Sequence, residues 1–315
     1  MFGDRLGDYM ESSKIKSIYQ KKKKWIFYWA IIALPLLQFC IFYIGVNFNS
    51  IRLAFQEWDS DSASFVWSSN MSEFRRAITD LFTENYFKIA LKNSIISYGA
   101  SLIVIPLALL FSYYIYKENV GSGAFKVVLY MPQILSVAIL VIMYKFFVDR
   151  AIPAIGEMIT GTLPEGLLSN PETEFGTILF FSVWASFGTQ VLMYTGAMSG
   201  ISDSIVDAAK IDGVTNIQEF LLITIPSIYS TIVTFVVVGV AHFFTGQMHL
   251  FSFRADLADY SLWTFGYFLY RSVQTSTTMS GYPYLASFSI IFTVLAIPLT
   301  LGVKWLLEKF GPKTE

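Results

Sequence analysis

The residues equipped for chemistry are few and of one kind. His242 and His249 are the only histidines, and neither has a carboxylate or thiol neighbour at metal-ligand spacing. No Walker A pattern, no G-x-S-x-G and no H-E-x-x-H occurs. Cys40, the single cysteine, lies inside an apolar run, has no disulfide partner and reads as a packing residue. What remains are small, aromatic and uncharged polar side chains set in apolar stretches. Gly239, His242, Phe243, Gly246 and His249 recur at helical spacing, with Gln247 beside them. Small residues leave room, an aromatic ring stacks on the apolar face of a sugar, and amide and imidazole groups bond hydroxyls. That is the chemistry of reversible binding. The same glycines suit a close helix–helix interface, and both readings stand. Trp184 and Gln190, in W-x-x-F-G-T-Q, are further candidates for a path, Trp184 being equally a packing residue; Gln133 is a third.

Apolar helices must hold these groups. The chain of 315 residues is 54% hydrophobic and 14% charged, against about 25% charged residues in ordinary soluble domains. This predicts an all-α integral membrane protein with about six transmembrane helices. The spans fall at 25–46, 95–116, 125–148, 175–198, 228–250 and 285–307, within one transmembrane domain over 25–307. Each is long enough for a hydrocarbon core of about 30 Å. Pro35 and Pro106 lie inside spans and loosen them. Residues 1–24 form a basic segment ending in Lys21 to Lys24; the apolar run behind it is too long for a signal peptide, so it reads as a retained anchor. The positive-inside rule places this segment and the tail 308–315 in the cytoplasm, with thirteen Lys and Arg inside and nine outside. The lysine cluster suits anionic lipid headgroups, and no basic stripe calls for nucleic acid. The stretch 149–174, with three prolines, reads as an irregular external loop, and 251–284 as mixed, with a short helix or a re-entrant piece.

One long polar stretch still reads as ordered helix: DAAKIDGVTNIQEFLLITIP, Asp207 to Pro226, in a loop over 202–226. Ser204 before Asp207 makes the S-x-x-D pattern of a capping box. Gly213 after Asp212 predicts a helix stop at positive φ. Val214, Ile217, Phe220 and Leu221 then recur at helical spacing, and Pro226 stands where the next apolar segment begins. Two short helices meeting at a glycine would form a rigid polar knob beside the membrane. The plainer alternative is an amphipathic connector between two spans.

This stretch resembles the EAA loop of bacterial ABC importer permeases, whose pattern is E-A-A, then D-G-A, then F-x-x-I-x-L-P. The matching residues are Asp207, Ala208, Ala209, Asp212, Gly213, Val214, Phe220, Ile223, Ile225 and Pro226. Asp207 stands for Glu, Val214 for Ala and Ile225 for Leu. Four further segments are similar to permeases of the sugar, maltose-permease type. They are FQEWDS (Phe55 to Ser60), ENYFKIALKNS (Glu84 to Ser94), Tyr130-Met131-Pro132 at the opening of the third span, and GYPYLASFSIIFTVLAIPL (Gly281 to Leu299). The G-G-P element usual before the last span is absent, and RADLADYSLWT (Arg254 to Thr264) stands there instead.

The resemblance implies the type I ABC importer permease fold, multi-pass in the bacterial cytoplasmic membrane with the N-terminus inside. It implies ATP-driven, binding-protein-dependent translocation of a sugar or oligosaccharide by alternating access. Asp207, Ala208, Ala209, Asp212, Gly213, Phe220 and Pro226 would then form the ATPase-coupling helix region. The implied partners are a cytoplasmic ATPase dimer, a second, paralogous permease subunit and an extracytoplasmic solute-binding protein. ATP and Mg would sit on the ATPase, and this chain would bind no cofactor. The fifth helix would line the path, where Gly239, Phe243 and Gly246 align with positions that are usually hydroxyl or amide residues. An ABC permease for a non-sugar solute is the alternative, and a secondary transporter a further one; the spans carry almost none of that class's mid-membrane ionisable residues besides the histidines.

Overall fold

The structure, a computed structural model, describes residues 22–312. The predicted basic segment up to Lys21 and the tail from Lys313 lie outside these. In chain order the elements are helix α1 (Lys22–Leu53), strands β1 (Gln56–Asp59) and β2 (Ser64–Trp67), then α2 (Ser72–Thr83) and α3 (Asn85–Tyr116). They continue with α4 (Ser122–Ile134), α5 (Val137–Thr160) and α6 (Pro171–Met198). Next come α7 (Asp203–Ile211), α8 (Asn216–Ser227) and α9 (Tyr229–Thr245). The chain closes with α10 (Leu250–Arg254), α11 (Phe265–Thr275) and α12 (Gly281–Phe310). Four of these, α1, α3, α6 and α12, are long and apolar enough to cross a membrane, and six spans result if the bent pairs α4–α5 and α8–α9 each make one.

The predicted spans agree in number with that larger count and differ in shape. The third, expected as one helix over 125–148, is broken by 105° between α4 and α5. Leu135 and Ser136 are extended there, beginning three residues past Pro132. That proline has no N–H to bond Val128, and its ring crowds the Val128 carbonyl. Tyr130-Met131-Pro132, expected to open a helix, therefore ends one. The stretch after Asp149, expected to be irregular, is helical to Thr160; a π turn at Phe147–Ala151 accommodates Pro153 without ending the helix. Pro35 likewise leaves α1 continuous, with a π turn at Phe39–Gly45. Among the described residues the all-helical expectation holds apart from the β1–β2 hairpin, paired Gln56 with Trp67 through Asp59 with Ser64. Its turn is held by the Ser62 hydroxyl donating to Asp59 Oδ2 at 2.7 Å.

Two apolar cores define two ends of the bundle. One gathers Phe87, Phe181, Tyr267 and Phe288 near the hairpin. The Tyr284 hydroxyl donates to Asp80 Oδ2 at 2.6 Å and the Ser287 hydroxyl to the Ala54 carbonyl at 3.1 Å, so the start of α12 belongs to that end. The other core gathers Ala108, Val191, Tyr194, Met198, Phe220 and Ile228. There the Tyr229 hydroxyl donates to the Leu307 carbonyl at 2.9 Å, tying α9 to the far end of α12. Between the ends, large apolar side chains such as Ile103 face outward, 71% exposed. In hydrocarbon that exposure carries no hydrophobic cost, while the helical hydrogen bonds satisfy the backbone along the helix.

Helices α4 and α6 approach through Gly188. A Cβ there would collide with the Leu129 carbonyl, and Gln133 braces the same contact, donating to the Ala185 carbonyl and accepting from the Thr189 hydroxyl at 2.9 Å. Gly188→Ala should therefore cost about 1–3 kcal/mol by forcing the helices apart. A thermal melt in detergent reads this, with Gly196→Ala as control, since a Cβ at Gly196 meets nothing within 4 Å.

Candidate functional site

Helices α3, α6 and α9 and the segment after α9 enclose a cavity of about 580 Å³. Helix α9 stops at Thr245, because Gly246 is extended at φ −71°, ψ 127°. The helical face expected to run from Gly239 to His249 is thus interrupted; Gly246, Gln247 and His249 reach the cavity from a loop. Met248 and His249 take positive φ of 50° and 57° in that loop, a strain of roughly 1–3 kcal/mol each of the kind functional sites hold. The loop is pinned by the Thr264 hydroxyl donating to the Gly246 carbonyl at 2.8 Å.

Six of the seven path residues expected from sequence line this cavity: Gln190, Gly239, His242, Phe243, Gly246 and Gln247, joined by His249. Trp184 is not among the lining residues; its ring lies 5.9 Å from that of Phe181, which fits its packing alternative. Gln133 serves the α4–α6 contact instead. The close-approach reading of the glycines also has a basis at Gly239, where a Cβ would stand 3.1 Å from the Tyr98 ring.

The hydroxyls of the cavity do not stand out in the sequence. Ser94, Ser97 and Ser101 of α3, and Ser182, Ser186 and Thr189 of α6, line the same cavity. Their spacings, i, i+3, i+7 and i, i+4, i+7, put each set on one helix face. Rows of hydroxyls along apolar helices are the signal that would have found them. Gln190 supplies one more polar atom: its amide oxygen is buried with no hydrogen-bond partner among the described residues, an acceptor left open for a water or a solute hydroxyl.

The polar stretch is a second unit at the other end of α3. Helix α7 starts at Asp203 after Ser202, so the expected Ser204–Asp207 capping box does not form. The capping box sits instead at Thr215, whose hydroxyl accepts from the Gln218 N–H while the Thr215 N–H donates to Gln218 Oε1 at 2.9 Å. Gly213 takes φ +75°, as expected. Its N–H donates to the Lys210 carbonyl and that of Val214 to the Ala209 carbonyl, both at 3.1 Å, which closes α7 and turns the chain into α8.

The outer surface of this unit carries Asp207, Ala208, Asp212 and Gly213, all exposed, and two large apolar side chains, Ile211 and Ile217, at 86% and 72% exposure. Asp207 pairs with Lys210 at 3.0 Å; the hydrogen bond and the negative charge raise the Lys210 ammonium above its ordinary range. Ala209 and Phe220 are buried and hold the unit from within, Phe220 with its ring 4.9 Å from Tyr113. Pro226 stands in the last turn of α8, just before the 66° bend. The strongest tie was not foreseen. Lys117 Nζ lies 2.5 and 2.7 Å from the two carboxylate oxygens of Glu219, which is 3% exposed. The Tyr113 hydroxyl adds a bond to the Asn216 carbonyl at 3.0 Å. Helix α3 is thus joined to the exposed unit at its end and lines the cavity from Ser94 to Ile105.

Comparison with known proteins places this architecture. Residues 104–315 match the family described as the binding-protein-dependent transport system inner membrane component. YurN of Bacillus subtilis, a probable ABC transporter permease protein, is 24% identical over 289 residues, spanning 89% of this chain and 94% of YurN. AraP of the same organism, the arabinooligosaccharides transport system permease protein, is 22% identical over 196 residues, 61% of this chain and 60% of AraP. A crystal structure of a bacterial alginate ABC transporter in complex with an alginate pentasaccharide-bound periplasmic protein matches with a TM-score of 0.70 at 18% identity, over 91% of this chain and 96% of that one. At that identity the match establishes a common fold.

Proposed function

The chain belongs to the family of binding-protein-dependent transport inner membrane components, and from that we propose that it is one permease subunit of an ATP-driven importer of a sugar or oligosaccharide. The solute class draws support from the arabinooligosaccharide permease AraP. The observation that carries the mechanism is the continuity through α3. A push on Asp207 to Gly213 reaches Lys117 through the buried Glu219 carboxylate and so reaches the cavity wall at Ser101, Ser97 and Ser94. In this reading a cytoplasmic ATPase dimer, which holds ATP and Mg, grips the exposed face of α7 and α8. A paralogous second permease completes the path, and a solute-binding protein delivers at the hairpin end. The coupling end and the N-terminus are cytoplasmic, the spans are those of the 25–307 domain, and lipid covers the apolar faces.

The test is a pull-down of the tagged chain from native membranes, with cross-linking at Asp207 to Gly213 and mass spectrometry. The expected result is capture of an ATPase, a second permease and a solute-binding protein. Capture of the chain alone, even after cross-linking, would overturn the proposed ATP-driven assembly. A companion variant separates docking from folding. The Asp207–Lys210 pair is exposed on both sides, so it contributes little to stability. Asp207→Asn should therefore leave the melting temperature of the purified chain unchanged while lowering ATPase recovery.

A further inference from the structure

Among the described residues, the cavity carries no fixed charge. None of its lining residues is Asp, Glu, Lys or Arg. Its polar side chains are the serines and threonines, Tyr98 with its phenol hydroxyl, Gln190 and Gln247 with their amides, and His242 and His249 with their imidazoles. Charged groups are close at hand and are engaged elsewhere. Arg254, two residues beyond the lining residue Ser252, donates from Nε to Glu174 Oε1 at 2.6 Å. Lys145 Nζ donates to the Phe253 carbonyl at 2.8 Å. The apolar part of the wall includes the Tyr98 and Phe243 rings, set edge to face at 6.5 Å. Gln190 adds the unpartnered buried acceptor.

Charge separates the solute classes that such a wall can pass. A carboxylate or phosphate entering it loses hydration and finds no ammonium or guanidinium; an ammonium finds no carboxylate. A neutral polyol exchanges its bonds to water for bonds to hydroxyls and amides, with no net charge to desolvate. Its C–H faces pack on aromatic rings. Resting on the sugar-importer reading, we propose that this chain's cavity selects neutral oligosaccharides and rejects uronic-acid and phosphorylated sugars. Gln190 and Gln247 are the residues that set this preference.

Saturation-transfer NMR on the assembled transporter in nanodiscs, with the binding protein left out, tests the proposal, and variants at Gln190 and Gln247 isolate this chain's contribution. The probes are matched trisaccharides of the galacto, gluco and manno series, each beside its uronic-acid counterpart. The expected result is signal from the neutral member of at least one pair, with the uronate about tenfold weaker or silent. Gln190→Ala should lower the neutral signal. Gln247→Arg, checked for folding by a thermal melt, should raise the uronate signal. A uronate signal equal to or above that of its neutral partner in every responding pair would overturn the proposal and leave the sugar reading intact. Silence from all saccharides would overturn the sugar reading beneath it.

Discussion

Glu219→Ala should destabilise the chain by about 3 kcal/mol and abolish uptake. The carboxylate is 3% exposed and takes both of its close contacts, 2.5 and 2.7 Å, from Lys117 Nζ. The ammonium lies 5.6 and 5.9 Å from the centroids of the Tyr113 and Tyr116 rings. These rings interact favourably with a cation but replace neither its hydration nor its counter-ion. Deleting the carboxylate leaves a half-buried charge unpaired, and the 21% exposure of the Lys117 side chain places the cost at the lower end of the range for broken buried pairs. The double variant Glu219→Leu with Lys117→Met removes both charges and keeps the volume, so stability should return to within about 1 kcal/mol of the parent. Uptake should return with it, because a packed apolar pair ties α8 to α3 as an ionic one does. Thermal melts and transport in reconstituted vesicles read the two quantities separately. A double variant that is stable but silent in transport would mean that the charge itself, and not the strut, carries the coupling.

That pair also marks where sequence reading stops. Lys117 and Glu219 lie 102 residues apart, and nothing in either neighbourhood predicts the other. What was legible was whatever repeats locally: apolar runs long enough to span, the glycine stop at Gly213 and the Asp207 to Pro226 pattern. The breaks in the third and fifth spans were not legible, since hydropathy counts apolar residues without reporting direction. Leu135 is as apolar as its helical neighbours and is nonetheless extended. The cavity was half legible for a similar reason. His242, Phe243 and Gln190 stand out by residue type, whereas Ser97 and Ser186 are ordinary in membrane helices. Only the meeting of α3 with α6 puts their hydroxyls in one place.

Gly213→Val should leave the chain folded and membrane-embedded yet reduce ATPase capture and uptake to near background. Gly213 sits at φ +75° with open space where a Cβ would be, so the penalty comes from the backbone and not from a clash. A β-branched residue in that conformation costs about 1–2 kcal/mol, whereas Asn is tolerated there. A chain held by two apolar cores can absorb this, and the strain is relieved where it is cheapest, by rotating α7 against α8. Such a rotation moves Asp207, Ala208 and Ile211 together, because all three ride on α7, while Glu219 stays anchored to Lys117. The partner would meet a displaced face on an otherwise intact protein. Gly213→Asn, which keeps the conformation, should capture the ATPase nearly as the parent does. The pair of variants therefore separates the shape of the join from the identity of its side chain. Equal capture by the Val and Asn variants would show that the ATPase does not read the angle between α7 and α8, and the lever through α3 would lose its input.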